Sequence, residues 1–362
     1  MLFLKDLPTV IGFRFRRGDP FAAFGLRSLR DSGCLVVDGR DVREKSRVNI
    51  IPPLHRSRGQ YILNSPRILD TIVQKSNIRS SDTVLEIGPG TGNLTLKLLE
   101  CARRVAAIEI DRRMVDVLIK RVEATRFADQ LDVICSDALK IDFPPFDTVV
   151  ANIPYGISSP LVEKLVFGSH KFRSATLLLQ KEFARRLLAS PGDSEFNRLA
   201  ANVNLLADVE LAMDVSRREF IPIPKVDSSV VVIRPKPEIP SINIAEWLAF
   251  IKTCFSRKNK TLRAIFMQKK RIMLLCCLSS SRTGETHSAG LFHCSDLESK
   301  HSLFKEIIME VLDTRGFGDR RPSKLCTNDL LQLLCSFNKE GIYFDDTALQ
   351  TDFFHVGPAA TG

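Results

Sequence analysis

The chain has 362 residues, 44% hydrophobic and 26% charged, close to the globular averages of roughly 45–50% and 25%, which excludes wholesale disorder and collagen-like architectures. At about 150 residues per domain, this length predicts two domains plus extra segments. Lys and Arg number 52 against 42 Asp and Glu, a net charge of +10 with a pI near 9.2, and that balance favours a polyanionic partner such as nucleic acid.

The first 55 residues are arginine-rich, acid-poor and interrupted by apolar side chains. Lys5, Arg14, Arg16, Arg17, Arg27 and Arg30 stand against Asp6, Asp19 and Asp31, interleaved with Phe3, Phe13, Phe15, Phe21 and Phe24. Such a start predicts an organellar transit peptide, able to form a basic amphipathic helix, with a basic arm that binds RNA directly as the alternative. Acids return at Asp38, Asp41 and Glu44, so composition marks no cleavage point.

From residue 56 to 240 short β-rich apolar runs alternate with helical spacing. Strands are predicted at Thr83–Ile87, Arg104–Ile108, Leu131–Cys135, Asp147–Ala151, Thr176–Leu179 and Ser229–Ile233, the alternation expected of a parallel α/β sheet with crossover helices. The segment Pro235-Lys-Pro237-Glu-Ile-Pro240 reads as a linker. Residues 241–362 read as a helical, basic C-terminal domain and tail, with an exposed loop at Ser279–Gly290 and a solvated loop at Arg320-Arg321-Pro322 leading into a helix. The apolar run Ile272 to Leu278 is far shorter than the roughly 18–20 residues that span a bilayer, so no membrane partner is expected. The nine cysteines include no C-x-x-C pair, which argues against a metal site and for buried thiols in a reducing compartment.

The run Val84-Leu-Glu-Ile-Gly88-Pro-Gly90-Thr-Gly92 places a G-x-G-x-G turn between a buried strand and a helix at Asn93–Glu100. Glycines there let backbone amides approach a ligand at a helix N-terminus. Glu109, about twenty residues on at the end of the second strand, can accept hydrogen bonds from ribose hydroxyls. Asp137, ending the third strand, can accept from an adenine amino group, or cap the segment that follows it. Together these predict a Rossmann-like nucleotide site. A dehydrogenase shares the features, although no proton-relay residue for hydride chemistry follows.

The fourth strand ends in Asn152-Ile153-Pro154-Tyr155. An exocyclic amine on a base is a poor nucleophile because its lone pair is delocalised into the ring. The Asn152 side-chain oxygen and the Ile153 carbonyl can each accept one amino hydrogen and so hold the nitrogen in a nucleophilic geometry. Pro154 stiffens the turn, and Tyr155 can stack on the base.

Gly59-Gln60-Tyr61-Ile62-Leu63-Asn64, the Glu86–Gly92 loop, Ile108-Glu109-Ile110-Asp111, the Asn152–Tyr155 tetrapeptide and Phe220-Ile-Pro222-Ile-Pro224-Lys-Val226-Asp-Ser228-Ser together resemble the ribosomal RNA adenine dimethyltransferase family. Within it, the chain is most similar to the eukaryotic small-subunit enzymes and, with its N-terminal segment, to the plant mitochondrial form. The resemblance implies a class I S-adenosylmethionine-dependent methyltransferase sheet with a small helical C-terminal domain. It also implies dimethylation of the N6 amines of two adjacent adenines near the 3′ end of small-subunit rRNA, with no metal. Tyr61 and Leu63 would border the S-adenosyl-L-methionine, Gly88, Gly90 and Gly92 would cradle it, and Glu109, Asp137 and Asn152 would hold its ribose, adenine and reacting end. Phe220 would close the second face of the flipped adenine opposite Tyr155, its alternative role being a core anchor before the two prolines.

Arg257, Lys258, Lys260 and Arg263, continuing to Lys269-Lys270-Arg271, are predicted on one helix. Spacing of three puts Arg257, Lys260 and Arg263 on one face, suited to RNA phosphates, and Arg56 and Arg58 extend that surface. The expected partners are small-subunit rRNA and the pre-ribosomal small subunit, engaged by a monomer in the mitochondrion, with the nucleolus as the alternative. The competing function is a non-catalytic nucleic-acid-binding factor, for transcription or ribosome assembly, that keeps the methyltransferase fold.

Overall fold

The computed structural model describes Leu54, residues 59–282 and residues 294–345. The predicted transit segment, Arg56 and Arg58, and residues 283–290 of the predicted loop lie outside these residues. The chain begins with β1 (Ile62–Leu63) and α1 (Pro66–Ser76), followed by β2 (Thr83–Ile87), α2 (Asn93–Leu99), β3 (Arg104–Glu109), α3 (Arg112–Glu123), β4 (Leu131–Cys135), β5 (Thr148–Asn152), α4 (Ser158–Phe167), β6 (Ser174–Gln180), α5 (Lys181–Leu188) and α6 (Arg198–Leu206). Next come β7 (Ala207–Val215), β8 (Phe220–Ile221) and β9 (Ser228–Pro235). Five helices close the described chain: α7 (Ile244–Cys254), α8 (Leu262–Phe266), α9 (Lys269–Arg282), α10 (Cys294–Thr314) and α11 (Thr327–Lys339).

Seven strands form one sheet in the order β4-β3-β2-β5-β6-β9-β7. The first five are parallel, and the returns pass through a helix except from β4 to β5, which are joined by a loop. Chain order reverses between β2 and β5, so the crevice outside their carboxyl ends is where an open α/β sheet binds ligands. Burial on both faces explains the uninterrupted apolar runs: Val84, Leu85 and Ile87 of β2 and Val149, Val150 and Ala151 of β5 are nearly inaccessible.

The sheet is not wholly parallel, as the sequence suggested. The Ser229–Ile233 run lies in β9, antiparallel to both β6 and β7. β7 escapes sequence reading because Ala207-Asp-Val-Glu-Leu-Ala-Met-Asp-Val215 is an edge strand of weak β-formers, half exposed and bulged between Leu211 and Met213. A further two-stranded ribbon pairs Leu63 with Phe220 and Ile62 with Ile221, tying the first motif to the last.

Local signals fix the helix ends. Pro66 occupies the first turn of α1, which closes on Asn77 at φ +48°. The Asp111, Asn197 and Asn243 side chains cap α3, α6 and α7. Helices α7, α8 and α11 gather an aromatic core in which Phe250 and Phe344 rings lie 5.0 Å apart, as do Phe266 and Phe337. That core also includes Phe196, Ala200, Ala201 and Leu205 from around α6. The loop predicted from Ser279 starts four residues too early: α9 runs to Arg282 and buries Ser279.

Candidate functional site

The site gathers at the carboxyl edge of β2, β3 and β5. A cleft of about 360 Å³, counting its open mouth, is lined by Tyr61 and Leu63 on one side and by Glu86, Gly88, Gly90 and Asn152 on the other. The loop after β2 turns through three glycines at positive φ, of which two are sterically forced. A side-chain carbon on Gly88 would sit 3.3 Å from Pro154 Cδ at φ +71°, and one on Gly92 would sit 2.6 Å from Leu118 Cδ1 at φ +86°.

Glu109 reaches back beneath this loop. Its carboxylate accepts from the Gly90 backbone N–H at 3.1 Å and from the Asp111 N–H at 2.9 Å. Burial raises its pKa, opposed by those two N–H donors. Asp111 in turn accepts from Gln60 Nε2 at 2.9 Å and from the Arg113 guanidinium at 2.6 Å, and the Arg113 contact holds its pKa well below the usual carboxylate range. Gln60 and Asp111 thus tie the first motif to the loop after β3.

Asn152 ends β5 at the mouth of the cleft. Its Nδ2 donates to the Tyr61 carbonyl at 3.2 Å, while Oδ1 accepts from no described residue. The Ile153 side chain is buried, and its N–H donates to the Leu178 carbonyl at 3.3 Å, anchoring the tetrapeptide to β6. Pro154 follows at φ −55°. The Tyr155 ring stacks on Tyr61 with centroids 5.7 Å apart and planes 28° from parallel. The Tyr155 hydroxyl shares a 2.8 Å hydrogen bond with Ser228 Oγ, and burial raises its pKa.

Two expectations take a different form. Phe220 is 1% exposed and packs in the core with Leu63 and Val215, which is the anchor role, and the ring against Tyr155 is that of Tyr61. The hydrophobic energy of a buried Phe, roughly 1.5–3 kcal/mol, explains the preference. Asp137 Oδ1 caps the turn after β4 through the Leu139 N–H at 2.9 Å. The loop is further pinned by Lys164, whose Nζ donates to the carbonyls of Ala138 and Ile141 and lies 4.4 Å from the Phe143 ring centre.

The basic run is not one helix. A 3₁₀ turn spans Phe255–Arg257, and Thr261 caps a new helix, α8, through the Ala264 N–H. The spacing-of-three face therefore dissolves. Arg263 is held by Asp313 at 2.5 Å and by Asp319 at 3.6 Å. Lys258 Nζ donates to the Ser194 and Phe196 carbonyls. Arg257 and Lys260 remain exposed, and their side chains make no hydrogen bond or ion pair to a described residue.

Glu86 is the residue that motif reading passed over. It lines the cleft, is 1% exposed, and its Oε2 has no hydrogen-bond partner. Burial lifts its pKa to about 8, with the Thr95 hydroxyl opposing and the Glu109 charge adding to the rise. Its signal was visible: a lone carboxylate inside a strand whose neighbours Leu85 and Ile87 are core. Among the described residues no His, Cys, Asp or Glu group could hold a metal ion, and no helix is long and apolar enough to cross a membrane.

This geometry fits S-adenosylmethionine: a glycine cradle with no room for side chains at Gly88 and Gly92, Glu109 behind it, and an unpartnered buried carboxylate to meet an ammonium group. Comparisons with known proteins agree. The chain is 58% identical over 315 residues to the mitochondrial ribosomal RNA small subunit methyltransferase of Arabidopsis thaliana, covering 83% of each. It is 48% identical over 291 residues to a probable dimethyladenosine transferase of Dictyostelium discoideum, covering 80% of this chain and 91% of the relative. Its fold superposes on the crystal structure of a dimethyladenosine transferase from Plasmodium falciparum with a TM-score of 0.70 and 41% identity, covering 78% of this chain and 99% of that one. The family described as ribosomal RNA adenine dimethylase matches residues 53–274, the stretch that holds the glycine cradle, Glu109 and Asn152. With the class I methyltransferase sheet around them, the chain belongs to the ribosomal RNA adenine dimethylase family.

Proposed function

We propose that this enzyme transfers methyl groups from S-adenosylmethionine to the N6 amines of two adjacent adenines near the 3′ end of small-subunit rRNA. The observation that carries the reading is the orientation of Asn152. Its Nδ2 is spent on the Tyr61 carbonyl, so Oδ1 is the atom left to accept an amino hydrogen. The Ile153 carbonyl takes the second hydrogen, and the amine nitrogen then directs its lone pair at the methyl group. Tyr155, braced by Ser228 and by the Tyr61 ring, stacks on the base; Phe220 backs the ribbon beside it and would have to leave the core to stack as well.

When bound, S-adenosylmethionine supplies an electrophilic methyl group on a sulfonium. Gly88, Gly90 and Gly92 would line its methionine end, Glu86 would meet its ammonium, and Glu109 would accept from the ribose hydroxyls in exchange for backbone donors. Leu63 borders the cofactor, and Asp137, freed from its turn, accepts from the adenine amino group. Held by the Asn152 and Ile153 oxygens, the amine nitrogen would take the methyl group and give up a proton to solvent. A second round needs the same two acceptors with one hydrogen fewer, so Asn152 and Ile153 hold a monomethylated amine less tightly.

Arg257 and Lys260 contact RNA phosphates, with Lys258 and Arg263 shaping that surface. Residues 56–240 act as the catalytic unit and 241–362 as the helical RNA-contacting unit of a monomer. The basic composition of residues 1–55 and the mitochondrial name of the Arabidopsis relative support action in the mitochondrion on the pre-ribosomal small subunit. The test is nucleoside mass spectrometry of unmethylated small subunits incubated with S-adenosylmethionine and the protein. Dimethyladenosine is the expected product; tight RNA binding without product would instead favour a non-catalytic factor.

A further inference from the structure

We infer that Ile223, with Ile221 beside it, is a wedge that enters the RNA stack where the target adenine leaves it. Ile221 and Ile223 are 55% and 61% exposed. Scattered exposed isoleucines are ordinary on protein surfaces, but this pair is held rigidly out of the core. Pro222 is half-buried and Pro224 fully buried on either side of Ile223, so the proline rings anchor the backbone while the side chain between them points to water.

The loop is clamped at both ends. The Arg217 N–H donates to Asp227 Oδ1 at 2.9 Å, and the Arg217 guanidinium donates to the Lys225 carbonyl at 3.1 Å. The Asn64 N–H donates to the Glu219 carbonyl at 3.0 Å, and Ile62 pairs with Ile221. Such a segment carries a preformed apolar tip. Its far end runs into Ser228, whose hydroxyl meets the Tyr155 hydroxyl at 2.8 Å. The chain that carries the tip is therefore bonded, five residues on, to the tyrosine that receives the base.

Charge identifies the occupant. Arg217, Arg218 and Lys225 are all exposed within the same segment, against Glu219 and Asp227, so the chain that carries the apolar tip also presents cations suited to phosphates. Enzymes that act on a base extrude it from its stack, and isoleucine and proline are among the side chains used as wedges between base steps. An RNA strand satisfies both the cations and the apolar tip. The inference rests on the rRNA methyltransferase reading above and adds the means by which the adenine is displaced.

The test uses the 3′-terminal small-subunit rRNA hairpin with 2-aminopurine in place of one of the two adjacent adenines, without S-adenosylmethionine. Wild-type protein should raise the fluorescence as the base unstacks, whereas Ile223→Ser should lose most of the rise and Ile223→Leu should keep it. In turnover, Ile223→Ser should lower kcat/KM on the hairpin about tenfold relative to an unstructured single strand, which needs no extrusion. Equal losses on both RNAs, full fluorescence with Ile223→Ser, or no rise with wild type would each overturn the wedge. A wild-type dimer that Ile223→Ser dissolves would assign the tip to a second copy and overturn it too. Failure of the wider reading shows separately, as wild type that forms no dimethyladenosine on small subunits.

Discussion

Replacing Glu86 by Gln should flatten the pH dependence of stability. In the unliganded protein burial moves this carboxyl from its ordinary 4.5 to about 8, and at about 1.36 kcal/mol per pH unit the difference is worth about 5 kcal/mol. The sign follows from proton linkage. The folded chain holds the proton more tightly than the unfolded chain, so stability is fullest below about pH 4.5, falls as pH rises towards 8, and is flat beyond. Between about pH 6 and pH 9 the wild type should therefore lose about 2–3 kcal/mol through this group alone. Urea unfolding of both proteins at the two pH values measures it. The slope is the quantity to compare, because the Gln amide must find its own partners and shifts the absolute stability. Parallel wild-type and Glu86→Gln profiles would refute the claim that Glu86 is buried and uncompensated. Adding S-adenosylmethionine should reduce the difference, since an ammonium beside Oε2 restores the ionised form.

Three further outcomes follow from the geometry. Asn152→Ala should lower methyl transfer by about 10²-fold or more, the scale of losing a positioned hydrogen-bond partner at the reacting group, while RNA affinity measured by filter binding stays within about twofold. Arg257→Ala with Lys260→Ala should weaken RNA binding and reduce the slope of log K against log salt by about 2, one for each lost phosphate contact; Lys258→Ala should act on stability instead, because its ammonium is already committed to two carbonyls. Gly92→Ala should cost about 1–3 kcal/mol in thermal unfolding through the positive φ and the collision with Leu118.

The parallel core of the sheet and the cradle were legible because a strand buried on both faces has to be continuously apolar, and a tight turn against a ligand has to be glycine. β7 was not legible, because an edge strand packs on one side and its sequence need not alternate. The basic run misled through local spacing. Lys258 and Arg263 have helix-like separation from Arg257 and Lys260, yet their partners, Phe196 and Asp313, lie about 50 residues or more away and leave no local trace. Phe220 was ambiguous because an aromatic beside two prolines serves a core or a base equally well. Glu86 was available to inspection as a charge inside an apolar strand, but its missing partner is a property of three dimensions.

The helical half shares its aromatic core with α6. Phe196, Ala200 and Leu205 are buried together with Trp247, Phe250 and Phe337, so removing residues 241–362 would open an apolar face on the sheet side. Loss of that cover predicts an insoluble fragment rather than an independent catalytic module. The helical half is therefore no interchangeable cassette: exchanging it would require redesigning α6 along with the helices laid upon it.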